Sequence, residues 1–230
     1  MASNVLTPLQ ERVLRALFEN GLAEQGYYLT GGTALAEFYL QHRYSDDLDL
    51  FTRKAGLLQD DFALFESRLT SLGFVISSRN ITAEYARLFV AAVEQQQENV
   101  KVEFAKDAGA MMAPAQLHDH VVVDSFEDIA VNKICAILNR QPSESKDFCD
   151  LFFILRESRF TLDYLIRRTQ EKEAAFDTEE GTLGFATNLL AVEEFTILPR
   201  MIKPLTLEEL QQFFIPVAEE LIQRLRPRGA

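Results

Sequence analysis

The chain has 230 residues, 47% hydrophobic and 25% charged, with a formal net charge of -12. That is enough apolar material for one sizeable core or two smaller ones, and it excludes a disordered chain. The acidic balance argues against a surface that coats nucleic acid broadly, and no apolar run, residues 151–155 included, approaches the roughly 20 residues of a membrane span.

In chain order, an amphipathic pattern over residues 8–24 (Leu9, Val13, Leu17, Leu22) predicts an opening helix. Residues 27–30, YYLT, read as a short buried strand broken by Gly31 and Gly32, with Thr33 as N-cap of a helix over residues 34–42. Residues 47–52 alternate like a strand, and a helix over residues 60–73 stops at Gly73. Three strands are expected next, at residues 74–80, 85–94 and 99–105, the last two separated by a polar QQQEN turn. After VVVDS the pattern is helical, over residues 126–139, 144–156, 162–173, 179–192 and 207–225. The expected fold class is therefore α+β: a mixed sheet flanked by helices in residues 1–124, then an all-helical half in residues 125–230.

The charged start lacks the apolar stretch of a signal peptide, so a cytoplasmic chain with no membrane partner is expected. Cys135 and Cys149 fall in helical segments and read as buried thiols, and His42, His118 and His120 lack zinc-ligand spacing. Arg167, Arg168, Arg200, Lys203, Arg224, Arg226 and Arg228 form either a local basic track or an ordinary solvated helix surface.

The chemistry concentrates in residues 27–52. In a strand, Asp47 and Asp49 share one face, roughly 7 Å apart, while Leu48 and Leu50 share the other. Two carboxylates so placed suit Mg²⁺, whose shell substrate phosphates and water complete; a polar edge strand has the same spacing. Asp46 faces away and reads as a solvated turn residue. A strand ending in Gly31-Gly32-Thr33 and opening a helix presents backbone N–H groups where an anion can approach closely. The segment lacks the lysine of a P-loop and the third glycine of a dinucleotide fingerprint, so both of those are excluded. A phosphate cradle followed by a carboxylate pair suggests a metal–triphosphate site.

In NVKVEFA, Val100, Val102 and Phe104 form a core face and leave Lys101 and Glu103 on the other. If this strand neighbours the Asp47 strand, Glu103 supplies a third carboxylate; an ordinary exposed glutamate has the same pattern. Lys133 lies on a helix face otherwise made of Phe126, Ile129, Ala130 and Ile137, a position costly for an ammonium unless it is paired or used. Asp147 and Asp150 sit one turn apart on the next helix, Asp147 suited to pair with or orient Lys133, and Asp150 suited to bond Lys146 or a helix end.

LTGGTALAEFYLQHRYSDDLDLF resembles the first two motifs of the AbiEii/AbiGii-type toxin nucleotidyltransferases of the polymerase-beta-like superfamily, with Arg43, Ser45, Asp47 and Asp49 in matching order. DIAVNKICAILNRQPSESKDFCDLFFIL is similar to the family's third and fourth motifs, except that Lys146 stands where arginine is more usual before Asp147. The resemblance covers residues 27–156. It implies transfer of a nucleoside monophosphate from a nucleoside triphosphate to an acceptor hydroxyl, with Asp47, Asp49 and Glu103 holding one or two Mg²⁺ ions. It also implies nucleotide contacts from Gly31, Gly32, Thr33, Arg43, Ser45 and Lys133, and catalytic roles for Lys133 and Asp147. By the same resemblance the acceptor is RNA, such as a tRNA 3′ end, and a separately encoded antitoxin is the partner. Two other readings stay open: a transferase for small hydroxyl compounds, as antibiotic-modifying enzymes are, and a catalytically silent binder of nucleotide or partner.

Overall fold

The structure, a computed structural model, describes residues 5–173, 176 and 178–225. They fall into two compact units: residues 5–108 with 113–125, and residues 109–112 with the described residues from 126 to 225.

The first unit opens with α1 (Pro8–Phe18), started by a capping box in which the Thr7 hydroxyl accepts from Gln10 N and the Gln10 side chain accepts from Thr7 N. It ends six residues before the periodicity does. Gly21 takes φ +91°, and Leu22 N donates back to Leu17 O, so Leu22 is buried by a turn and not by a longer helix. The wholly buried β1 (Tyr27–Thr30) runs directly into α2 (Gly31–Ala34), which continues as π-helical turns over Leu35–Leu40. Thr33 is therefore inside the first turn and does not cap it.

Then come β2 (Asp47–Thr52), α3 (Leu58–Ser71), β3 (Phe74–Ile81), β4 (Tyr85–Ala92) and β5 (Gln95–Lys106). The QQQEN stretch is strand, not turn. Ala92 pairs with Gln95, which leaves Val93 and Glu94 as the hairpin loop, and the polar run is a strand end exposed on both faces. β6 (Gln116–His118), which the sequence did not suggest, and β7 (Val121–Val123) complete a seven-stranded sheet in the order β3-β4-β5-β2-β1-β7-β6. The β2–β5 and β1–β7 pairs are parallel; the rest are antiparallel.

One sheet face is packed by α1 and α3. Its centre is an aromatic cluster in which the Phe65 ring lies 5.2 Å from Tyr27 and 5.4 Å from Phe104. Leu48, Leu50, Val102 and Phe104 are fully buried there, each contributing about 1.5–3 kcal/mol by leaving water. Alternation then commits residues 47, 49, 101 and 103 to the opposite face.

The second unit is helical: α4 (Phe126–Asn139), α5 (Ser145–Glu157), α6 (Leu162–Lys172), α7 (Glu179–Asn188) with a 3₁₀ turn over Leu189–Glu194, and α8 (Leu207–Leu225). α4 packs against α5, α6 and α7, and Phe148 of α5 meets Phe214 of α8 edge-on at 5.4 Å. The excursion of residues 109–112 is tied down by Asp128, whose carboxylate accepts from Met112 N at 3.1 Å and pairs with Lys172 at 3.1 Å. Among the described residues, no helix is long and apolar enough to cross a membrane.

Candidate active site

The carboxylate pair is fixed by β2. Asp47 and Asp49 are half-buried on the open face, between fully buried Leu48 and Leu50. Parallel pairing with β5 sets Lys101 opposite Asp47 and Glu103 opposite Asp49, and partners in register share a face. Lys101 Nζ lies 2.7 Å from Asp47 Oδ2 and 3.1 Å from Glu103 Oε2. The Tyr85 hydroxyl of β4 donates to Glu103 Oε1.

These contacts shape the titration of the cluster. Burial opposes charge on Lys101, but its hydrogen bonds to Asp47 and Glu103 outweigh that and lift the ammonium above the usual lysine range. Burial likewise pushes the Glu103 carboxyl up, yet the bonds from Tyr85 and Lys101 hold it below the usual carboxylate range. The Tyr85 phenol is pushed up to about 12 by burial and then by its bond to Glu103.

The glycine turn abuts this cluster. Thr30, the last residue of β1, is opposite Asp49 in antiparallel register, so Gly31 follows immediately beside the Asp49 carboxylate. Gly31 has φ +73°, and a Cβ there would fall 2.9 Å from Asp49 Cγ and 3.1 Å from its Cβ. A Cβ at Gly32 would run into the Arg43 guanidinium and come 3.2 Å from Ser45 Oγ. Gly31 is thus required by close approach and by its backbone, whereas at Gly32 the obstacle is the end of the Arg43 side chain. The Thr33 hydroxyl donates to the Asp47 carbonyl, tying the turn to the acidic strand.

Arg43 is 3% exposed and donates to Tyr44 O at 2.9 Å, placing a buried positive charge behind the turn. Asp124 was not foreseen: its carboxylate accepts from Thr30 Oγ1 at 2.7 Å and from Ser125 N at 2.9 Å, and its carbonyl accepts from Tyr39 OH at 2.7 Å. An aspartate closing a valine-rich strand carries no sequence signal for that task.

Among the described residues, no three of His, Cys, Asp and Glu converge as a ready-made metal cage. The donor set fits a hard divalent ion in another way: two carboxylates on one face, beside a cradle a Cβ would fill, leave positions for phosphate oxygens and water.

Lys133 and Asp147 belong to the helical unit. Lys133 is 7% exposed, with Nζ 2.9 Å from Asp147 Oδ1 and 2.7 Å from Asp150 Oδ2. Arg140 also pairs with Asp147, so two cations face two buried carboxylates. Asp150 therefore bonds Lys133, and Lys146 instead pairs with Glu144 at 2.8 Å. The basic surface is largely matched by acids: Arg168 bonds Glu127 at 2.6 Å, Lys203 bonds Glu157 at 2.5 Å and Arg224 bonds Asp163 at 3.2 Å. Arg226 and Arg228 lie outside the described residues. Cys149 is buried and Cys135 half-buried, and neither forms a disulfide.

The sequence model of the family described as "Nucleotidyl transferase AbiEii toxin, Type IV TA system" matches residues 12–226. No curated protein matches the sequence. The fold is similar to that of a candidate nucleotidyltransferase from Helicobacter pylori (TM-score 0.57, 21% identity, 96% of each chain covered). It is also similar to JHP933 from Helicobacter pylori (TM-score 0.56, 21% identity, 94% of this chain and 91% of that one). A third neighbour is MenT4, a nucleotidyltransferase toxin from Mycobacterium tuberculosis H37Rv (TM-score 0.53, 16% identity, 96% of this chain and 82% of that one).

Proposed function

Because this chain belongs to the AbiEii nucleotidyltransferase toxin family and is a nucleotidyltransferase, we propose that it transfers a nucleoside monophosphate from a nucleoside triphosphate to a hydroxyl at an RNA 3′ end, tRNA being the expected acceptor. The acceptor oxygen attacks the α-phosphorus in line, a new P–O bond forms, and the bond to the β-phosphate oxygen breaks to release pyrophosphate. One observation carries this reading: the Gly31 turn lies directly against the Asp49 carboxylate, so a triphosphate cradle and the acid pair form one continuous surface.

In this reading the N–H groups of Gly31, Gly32 and Thr33 receive the β- and γ-phosphates. Buried Arg43, with Ser45 beside it, adds positive potential behind them. Asp47 and Asp49 hold and orient the divalent ion, expected to be Mg²⁺; when bound, the ion offsets the triphosphate charge and acidifies the acceptor hydroxyl. In the helical unit Asp147 and Asp150 fix Lys133, the lysine that by resemblance stands in the family's third motif. The type IV toxin–antitoxin description of the family supports a cognate antitoxin as partner.

The test is incubation of the purified protein with each labelled nucleoside triphosphate, Mg²⁺ and total cellular RNA, beside Asp47→Asn and Asp49→Asn variants. Label in RNA with the intact protein alone is expected. Unlabelled RNA together with labelled small hydroxyl compounds would replace the acceptor assignment.

A further inference from the structure

The open face of the sheet already carries a cation of its own. Lys101 Nζ bridges carboxylates from two neighbouring strands, 2.7 Å from Asp47 Oδ2 and 3.1 Å from Glu103 Oε2. It is held there from both sides. The β2–β5 register places it opposite Asp47, and Glu103, two residues along its own strand, projects to the same face.

In a two-metal transferase the ions stand about 3.5–4 Å apart and clamp both the attacking and the leaving oxygen. Lys101 fills the position between Asp47 and Glu103 that an ion bridging those two carboxylates would take. A Mg²⁺ ion sits about 2.0–2.1 Å from its ligand oxygens, so it and the ammonium cannot share that position.

Charge points the same way. Lys101 already offsets part of the negative charge that Asp47 and Glu103 bring to this position. Both Glu103 oxygens already accept a hydrogen bond, Oε1 from Tyr85 and Oε2 from Lys101. Asp49 is the carboxylate turned to the glycine cradle.

We infer that Lys101 takes the place of a second divalent ion, so that the Asp47–Asp49 pair binds a single ion with the nucleotide and Glu103 serves as the carboxylate that positions Lys101. The inference rests on the metal–nucleotide reading proposed above. Lys101 is thus a positioning residue that sets metal stoichiometry.

The experiment is a count of Mn²⁺ bound per chain in the presence of each α,β-methylene nucleoside triphosphate, with electron paramagnetic resonance to detect coupling between neighbouring ions. Wild type is expected to bind one ion with no coupling. Lys101→Met is expected to bind two, with a coupled spectrum. Lys101→Arg, which keeps the cation, is expected to stay at one. Two coupled ions in wild type, or one ion in a folded Lys101→Met protein, would overturn the inference while leaving the metal reading intact. No bound Mn²⁺ in wild type would instead overturn the metal reading itself, and the inference with it.

Discussion

Replacing Gly31 by alanine separates two costs that usually come together. The first is conformational. At φ +73° a Cβ is strained, by about 1–2 kcal/mol for a left-handed residue, partly offset by about 0.4–1 kcal/mol from the stiffer unfolded chain. The net loss is about 1 kcal/mol, or roughly 2–4 °C in Tm for a chain of this size. Gly73 supplies the control: its φ is +83°, and nothing lies within 4 Å of a Cβ built there. Gly73→Ala therefore carries the backbone cost alone.

The second cost is steric. The added methyl would sit 2.9 Å from Asp49 Cγ and 3.1 Å from Asp49 Cβ, and because the latter atom is fixed by the strand, turning the side chain cannot clear it. Relief of the contact turns the Asp49 carboxylate away from the cradle and moves the turn or the strand by a few tenths of an ångström besides; a carboxylate displaced by about 1 Å costs about 10²-fold in rate, equivalent to about 2.7 kcal/mol of barrier. The assay pairs nucleotide transfer with thermal unfolding of both variants. The Tm loss in Gly31→Ala is expected to be at least that in Gly73→Ala, with transfer lost only in Gly31→Ala. Transfer within threefold of wild type in Gly31→Ala, or an equal loss in Gly73→Ala, would refute the steric account.

Lys133→Met strands Asp147 and Asp150 in the helical unit without their shared ammonium, and chemical unfolding is expected to show a loss of about 3–5 kcal/mol; a loss under about 1 kcal/mol would mean the buried pair is not made. Thr33→Val removes the hydroxyl of a fully buried residue that reaches the Asp47 carbonyl, costing about 1–3 kcal/mol, and is expected to lower transfer together with stability. Glu103 has its folded pKa depressed, so its contribution to stability is present above the unfolded carboxylate pKa and is lost as pH falls through the folded value. Lys101 is the opposite case, its contribution full below the usual lysine range and lost as pH rises through its raised value. Tyr85→Phe removes one of the bonds that lower Glu103, so the Glu103 resonance followed by carboxyl NMR is expected to titrate at higher pH than in wild type; an unchanged midpoint would show that Tyr85 does not hold it.

Much of the fold was legible because local periodicity reports which way a side chain faces. Alternation over residues 47–52 placed Asp47 and Asp49 together and buried Leu48 and Leu50, and the helix Phe126–Asn139 was bounded as read. Periodicity failed where a turn preserved burial without preserving helix, as at Leu22, and where polarity marked an exposed strand end instead of a loop, as in QQQEN. The pairing of Lys133 with an acid was foreseeable from the cost of a lysine on an apolar face, whereas its second partner, Asp150, was not assigned.

By itself, then, the sequence determined which residues form the acid pair, the glycine turn and the buried lysine, because spacing along one element is a local property of backbone geometry. Only the tertiary structure decided that Lys101 and Glu103 stand opposite Asp47 and Asp49, and that Asp124 holds Thr30. Those relations depend on the register between strands some fifty or more residues apart in the chain, and register is set by the whole sheet closing over its core.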